Sequence, residues 1–173
     1  MSRFVFDLDG VIRHLSLYMV GSNGVTDWNQ DMPFGGSFMD VMEENLDLLK
    51  QAPPTRYYPA IHKYGLTHKL EIITRQPVHW REKTMYWIME HLDANNVNVH
   101  FVDEADEKLE MLGPDDVLVE DYPFFTDYKK VALIYYPYNQ NVTGELVRIM
   151  NPDDLYNLLF GSPTLGKDCN DRR

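Results

Sequence analysis

Apolar residues fall along the chain in short continuous runs: RFVFD at 3–7, KLEIIT at 69–74, NVHFV at 98–102, DVLV at 116–119 and VALIY at 131–135. Each is rich in β-branched, aromatic or aliphatic residues and ends at polar or turn-forming ones, which predicts a strand. Continuous runs, rather than alternation, suit a parallel sheet covered on both faces. Between the runs the period lengthens. Residues 37–51 (SFMDVMEENLDLLKQ) place Phe38, Val41, Met42, Leu46 and Leu49 on a helical period, with Ser37 as N-cap and Pro53-Pro54 as the stop. Further helices are predicted over 59–64, 78–92, 106–112 and about 151–160. In the helix over 78–92, Met85, Ile88, Met89 and Leu92 form the apolar stripe. Strands alternating with helices predict an α/β domain built on a parallel sheet.

One region departs from this rhythm. Residues 15–29 (LSLYMVGSNGVTDWN) show no helical stripe and centre on Gly-Ser-Asn-Gly, which predicts a β-hairpin. Residues 161–173 are polar and read as a disordered tail. The expected organisation is one domain over 1–160.

Composition narrows the class. The chain has 173 residues, of which 44% are apolar, enough for one domain with a real core. A formal net charge of −11 disfavours non-specific attraction to nucleic acid or anionic lipid, but not a nucleic-acid end gripped locally. The single cysteine, Cys169, excludes a disulfide framework and a cysteine zinc site. The six histidines do not cluster at ligand spacing. No apolar run approaches the ~20 residues that span a bilayer. Asp7 comes too early for a signal-peptide core. The expected setting is cytoplasmic, without membrane attachment.

Open α/β sheets bind ligands beyond the carboxyl ends of their strands. There the sequence places Asp7-Leu8-Asp9-Gly10, then Thr74-Arg75, then Lys108, then Glu120-Asp121. Asp-x-Asp-Gly alone also reads as a turn, and Glu-Asp as a solvated one. Together they make a rim of carboxylates, a hydroxyl and two cations. Clustered carboxylates repel unless a cation lies between them. Oxygen ligands without His or Cys point to Mg²⁺. Lysine, a threonine hydroxyl and free N–H groups suit phosphoryl oxygens, so the rim predicts phosphoryl transfer.

FDLDGVI, IITRQP, the lysine of EKLEML and VLVEDYP, in this order, resemble the four motifs of the haloacid dehalogenase superfamily of phosphohydrolases. The resemblance covers roughly residues 3–160. Arg75-Gln76-Pro77 and Tyr136-Pro137-Tyr138-Asn139 further resemble its 5′(3′)-deoxyribonucleotidase-like branch. It implies a three-layer Rossmann-like fold with a central parallel sheet, a flap hairpin at 15–29 and a minimal cap at about 30–56. It also implies roles. Asp7 would be the nucleophile and Asp9 the general acid and base. The carboxylates of Asp7 and Asp121 and the main-chain carbonyl of Asp9 would hold Mg²⁺. Thr74, the backbone N–H of Arg75 and Lys108 would bind the phosphoryl group, and Gly10 would let the backbone approach it. Many relatives have two aspartates in the fourth motif; Glu120 here would act through water or from behind Asp121. Lys83 and Lys69 are rivals to Lys108.

The expected activity is a Mg²⁺-dependent phosphohydrolase with an aspartyl-phosphate intermediate, acting on a nucleotide. Tyr18, Trp28 or Phe34 would stack on the base. Two alternatives stand beside it. A small cap leaves an open site, which suits a polynucleotide-end phosphatase, with Arg75, Lys129 and Lys130 as the basic residues. A catalytically silent phosphate- or partner-binding module is the other, although it would have no need of Asp9. A receiver domain fits less well, because its phosphorylated aspartate would follow a later strand. His79-Trp80 could line the pocket, and an oligomer that covers the site remains open.

Overall fold

The computed structural model describes residues 3–15 and 37–161. Its centre is a six-stranded sheet of β1 (Phe4–Phe6), β2 (Leu70–Arg75), β3 (Val97–Val102), β4 (Val117–Glu120), β5 (Val131–Ile134) and β6 (Val147–Ile149). The spatial order is β3-β2-β1-β4-β5-β6, and every neighbouring pair is parallel. Helices α1 (Phe38–Glu44), α2 (Leu48–Gln51), α3 (Tyr58–Gly65), α4 (Val78–His91), α5 (Glu107–Glu110) and α6 (Pro152–Phe160) flank it. This is the Rossmann-like α/β arrangement. Among the described residues no helix is long and apolar enough to cross a membrane.

The sheet is apolar on both faces because both are covered. Phe4 and Phe6 meet Tyr64 of α3 edge-on and share their cluster with Trp87 and Ile88 of α4 and Leu155 and Leu159 of α6. On the other face Val5, Ile73, Leu118 and Leu133 pack with Leu112 and Phe125. This explains why the central strands read as unbroken apolar runs. Phe6 pairs with Ile72 on one side and Val119 on the other, so Asp7, Thr74 and Glu120 emerge at nearly one level. The strand order reverses between β1 and β4, and ligands of open α/β sheets bind at that crevice.

Several expected elements differ. The helix predicted over 37–51 is two helices. Ser37 caps α1 as expected, in a reciprocal capping box with Asp40. Asn45 then leaves the helical region at φ −133°, and its side chain donates to the Val41 carbonyl, so local hydrogen bonds end α1 before α2 begins. On α4 the buried residues are Trp80, Thr84, Trp87 and Ile88, whereas Met89 is exposed. The stripe is therefore rotated toward the tryptophans. Strand β6 was not expected, because its three residues enclose Arg148. That arginine leaves the sheet face to bond the carbonyls of Asn139 and Val142. Most of the predicted hairpin (16–29), the first part of the expected cap (30–36) and the tail from 162 lie outside the described residues.

Helix α6 depends on its start. Asn151 Oδ1 accepts from the N–H groups of Asp153 and Asp154, while the Asp154 carboxylate accepts from the Asn151 N–H. Replacing Asn151 by Ala removes both cap acceptances, and urea denaturation is expected to show a loss of about 1 kcal/mol. No change in the midpoint would mean that packing of Leu155 and Leu159 alone holds the helix.

Candidate functional site

The site forms where β1, β2 and β4 end. The Asp7 N–H still donates to the Val119 carbonyl, at 2.9 Å, so the strand mount persists up to the carboxylate. The chain then turns sharply: the Leu8 carbonyl accepts from the N–H groups of both Ile12 and Arg13, each at 2.8 Å. Gly10 makes this possible with φ +83°. A Cβ on Gly10 would lie 2.0 Å from Asp121 Oδ2. The glycine is thus required by the Asp121 carboxylate and the turn; approach to a phosphate is not needed to explain it.

Lys108, from α5, joins the cluster between β1 and β4. Its Nζ lies 2.8 Å from Asp7 Oδ1 and 2.7 Å from Glu120 Oε2, and the whole side chain is buried. Asp7 Oδ1 is buried and meets the Lys108 ammonium but no other donor. Glu120 is saturated differently. Its Oε2 accepts from Lys108, and its Oε1 accepts from the N–H groups of Asp121 and Tyr122. Asp7, Glu120 and Asp121 can each offer one carboxylate oxygen within 4.8 Å of the others.

Three buried carboxylates face one ammonium. Burial, followed by the Glu120 charge, raises the Asp7 carboxyl to about 7. Burial, Glu120 and Asp7 push Asp121 well above the usual carboxylate range. Burial works against the Lys108 ammonium, but Asp7 and Glu120 outweigh it and raise its pKa. Unit charges ~4 Å apart interact by ~4 kcal/mol near a protein surface, so one lysine does not balance three carboxylates. A divalent cation does. The residues therefore fit a divalent cation that takes oxygen ligands, such as Mg²⁺: the donors are all oxygen, and Asp7 Oδ1 meets no donor but Lys108. Because protein donors already engage both oxygens of Glu120, Asp7 and Asp121 are the carboxylates left for an ion.

Asp9 faces elsewhere. Its Oδ1 accepts from Arg13 Nε at 2.7 Å, and its Oδ2 accepts from Arg13 Nη2 at 2.9 Å and from Gln76 Nε2 at 2.7 Å. Arg13 is fully buried; its Nη1 donates to the Leu49 carbonyl and both terminal nitrogens reach Thr84 Oγ1. Thr84 in turn donates to Gln76 Oε1. Arg13 and Thr84 were not among the expected residues, and Gln76 appeared only inside a motif, without a role. The available signal was weak: a lone charge inside the apolar stretch VIRHL, whose partners lie far along the chain.

A cleft of about 500 Å³ opens over the cluster. Asp7, Asp9, Thr74, Lys108, Glu120 and Asp121 line its acidic end, and Leu15, Met39, Trp80, Tyr122 and Phe124 give it apolar walls. Thr74 is buried with its side chain on this lining. Arg75 also borders the cleft, and its Nε donates to the Asp103 carbonyl. Other expected residues are elsewhere. His79 pairs with Glu43 at the surface, although its neighbour Trp80 does line the cleft. Lys83 pairs with Asp47, and Lys69 is exposed at the opposite end of β2. Lys130 donates to the Gly113 carbonyl, and neither it nor Lys129 lines the cleft. Tyr18, Trp28 and Phe34 lie outside the described residues. Compared with family models and with curated proteins, the chain matches none.

The Arg13 pair tests the buried network. Removing one partner of a buried pair leaves the other uncompensated, at a cost of ~3–5 kcal/mol. Arg13→Met should lose about that much in urea denaturation, and adding Asp9→Asn should restore part of it. Additive effects of the two substitutions would show that the pair is not coupled.

Proposed function

We propose that the protein is a Mg²⁺-dependent phosphohydrolase of the haloacid dehalogenase type, acting on a nucleotide-like phosphate monoester. The observation that carries this reading is the buried Asp7–Lys108–Glu120–Asp121 cluster at the strand-order switch, with an Asp7 oxygen that meets no donor but Lys108. Asp7, Asp121 and the main-chain carbonyl of Asp9 are the groups that would hold Mg²⁺. When bound, the ion supplies charge neutralisation for the phosphoryl oxygens and the carboxylates around them.

The chain's own residues then divide the work. Asp7 attacks phosphorus, the ester P–O bond breaks, and the leaving oxygen takes a proton from Asp9. Water attacks the resulting aspartyl-phosphate, Asp9 takes its proton, and the bond from phosphorus to Asp7 breaks to release inorganic phosphate. Lys108 neutralises charge beside Asp7, and the Thr74 hydroxyl and the Arg75 N–H receive the phosphoryl oxygens. Arg13 and Gln76 donate to both oxygens of the ionised Asp9 carboxylate, so accepting the water's proton requires Asp9 to be released from them. To serve as acid it must turn out of the Arg13 fork.

Two observations favour a small substrate. The cleft volume lies within the range of ~300–1,000 Å³ typical of small-molecule sites. Its acidic end adjoins walls that include Trp80 and Phe124, so a phosphate at the cluster would carry a flat apolar group alongside them. Of the basic residues that hinted at a polymer end, only Arg75 borders the cleft. Helices α1 and α2 would form the minimal cap, in a single domain with the flap preceding it.

A phosphate-release screen over nucleoside monophosphates, sugar phosphates and 5′- or 3′-phosphorylated oligonucleotides separates the readings. Nucleoside monophosphates should be hydrolysed with Mg²⁺ and not with EDTA, and Asp7→Asn should lose about 10³-fold or more in kcat. Near wild-type turnover by Asp7→Asn would rule the mechanism out. Preference for oligonucleotide ends would favour the polymer reading, and no release from any substrate the silent module.

A further inference from the structure

Tyr136-Pro137-Tyr138-Asn139 follows β5, and three of its side chains reach the floor of the site. The Tyr136 hydroxyl donates to the Gly10 carbonyl at 2.8 Å. The Tyr138 hydroxyl donates to Asp121 Oδ2. Asn139 is fully buried; its Nδ2 donates to the Asp121 carbonyl at 2.9 Å and to the Ile134 carbonyl at 2.7 Å. Its Oδ1 accepts from the Tyr136 N–H and from Arg148. The two tyrosine rings stack at 5.3 Å between centroids and 9° between planes. The segment thus holds Asp121 by both its backbone and its carboxylate, and holds the glycine that makes room for it.

From this geometry we propose that Tyr138 is a positioning residue for the metal centre. Its hydroxyl fixes Asp121 Oδ2 against Gly10 and so presents Oδ1 to a divalent cation shared with Asp7. A carboxylate on a short side chain has two oxygens and a rotatable Cβ–Cγ bond. Without a donor on one oxygen, it samples orientations that do not converge with Asp7. Here Oδ2 is confined on two sides, by the phenol and by the backbone at Gly10, where even a Cβ would collide with it. Stacking on Tyr136 fixes the phenol in turn, and the hydrogen bond from Tyr136 to the Gly10 carbonyl locks that ring to the same turn. Partners of this kind orient metal ligands, and removing one weakens binding by ~10–100-fold. The inference rests on the metal site proposed above, but its test needs no turnover.

The test titrates Mg²⁺ alone into the purified full chain by calorimetry, well below the unfolding transition, for wild type and Tyr138→Phe. Phe keeps the ring stack and removes only the donor. Tyr138→Phe is expected to weaken Mg²⁺ binding by ~10-fold or more. Its melting temperature in EDTA should stay close to wild type. In turnover, the variant should need correspondingly more Mg²⁺ for half-saturation and reach a similar kcat once saturated. Tyr136→Phe, which loses a contact to a backbone carbonyl and not to a ligand, should have the smaller effect. If wild type binds Mg²⁺ and Tyr138→Phe binds it equally well, the positioning role is overturned while the metal site stands. If wild type binds no Mg²⁺, both fall. An equal loss in Tyr136→Phe would assign the effect to general loosening of the turn at Gly10 and overturn the specific role of the Tyr138 hydroxyl.

Discussion

Everything at the centre of this molecule depends on one electrostatic constraint: the Lys108 ammonium is buried between Asp7 and Glu120, with Asp121 alongside. With all three carboxylates ionised, Lys108 alone would leave an excess of two negative charges, which is why burial and mutual repulsion push Asp7 and Asp121 upward. Such an arrangement is stable only where many donors and a rigid mount hold it, or where a cation completes it. Glu120 has the donors: Lys108 and two backbone N–H groups. Asp7 does not. That asymmetry separates the carboxylate that anchors the lysine from the two that remain available to an ion.

The fold supplies the mount. Strands β1 and β4 pair up to the residue before the cluster, and their register brings Asp7 and Glu120 to adjacent positions. Around this rigid ledge runs a ring of buried polar side chains whose hydrogen bonds cross long sequence distances. Arg13 ties Asp9 to Leu49 and Thr84, and Asn139 ties Asp121 to the end of β5. Buried polar networks of this type specify one arrangement only if their members are satisfied. Here that arrangement points the cluster into a cleft with apolar walls.

How much of this could be read from the chain depended on the range of the interactions involved. The five apolar runs announced five of the strands, and the polar residues after them were legible because a parallel sheet gathers strand ends on one rim. Strand β6 was hidden by Arg148, whose guanidinium finds carbonyl partners that no local pattern reveals. The break between α1 and α2 turns on Asn45, a residue neutral enough in a helix to pass unnoticed. The burial of Arg13 was illegible because its partners lie on α2 and α4. Gly10 was singled out, and the structure adds a constraint on it that no local pattern reveals: the Asp121 carboxylate, more than a hundred residues away. The tyrosines at 136 and 138 were legible only as part of a motif with no assigned role, and the structure adds a hydrogen bond from each to the site.

The account's central claim is that the cluster is built around a divalent cation held by Asp7 and Asp121. Anomalous diffraction from crystals grown with Mn²⁺ in place of Mg²⁺ tests it most directly, because the ion reports its own position. The account predicts one strong peak between the carboxylates of Asp7 and Asp121, with Glu120 still bonded to Lys108. No peak there, or binding only at the exposed acidic residues Glu43, Glu44 and Asp47, would contradict it.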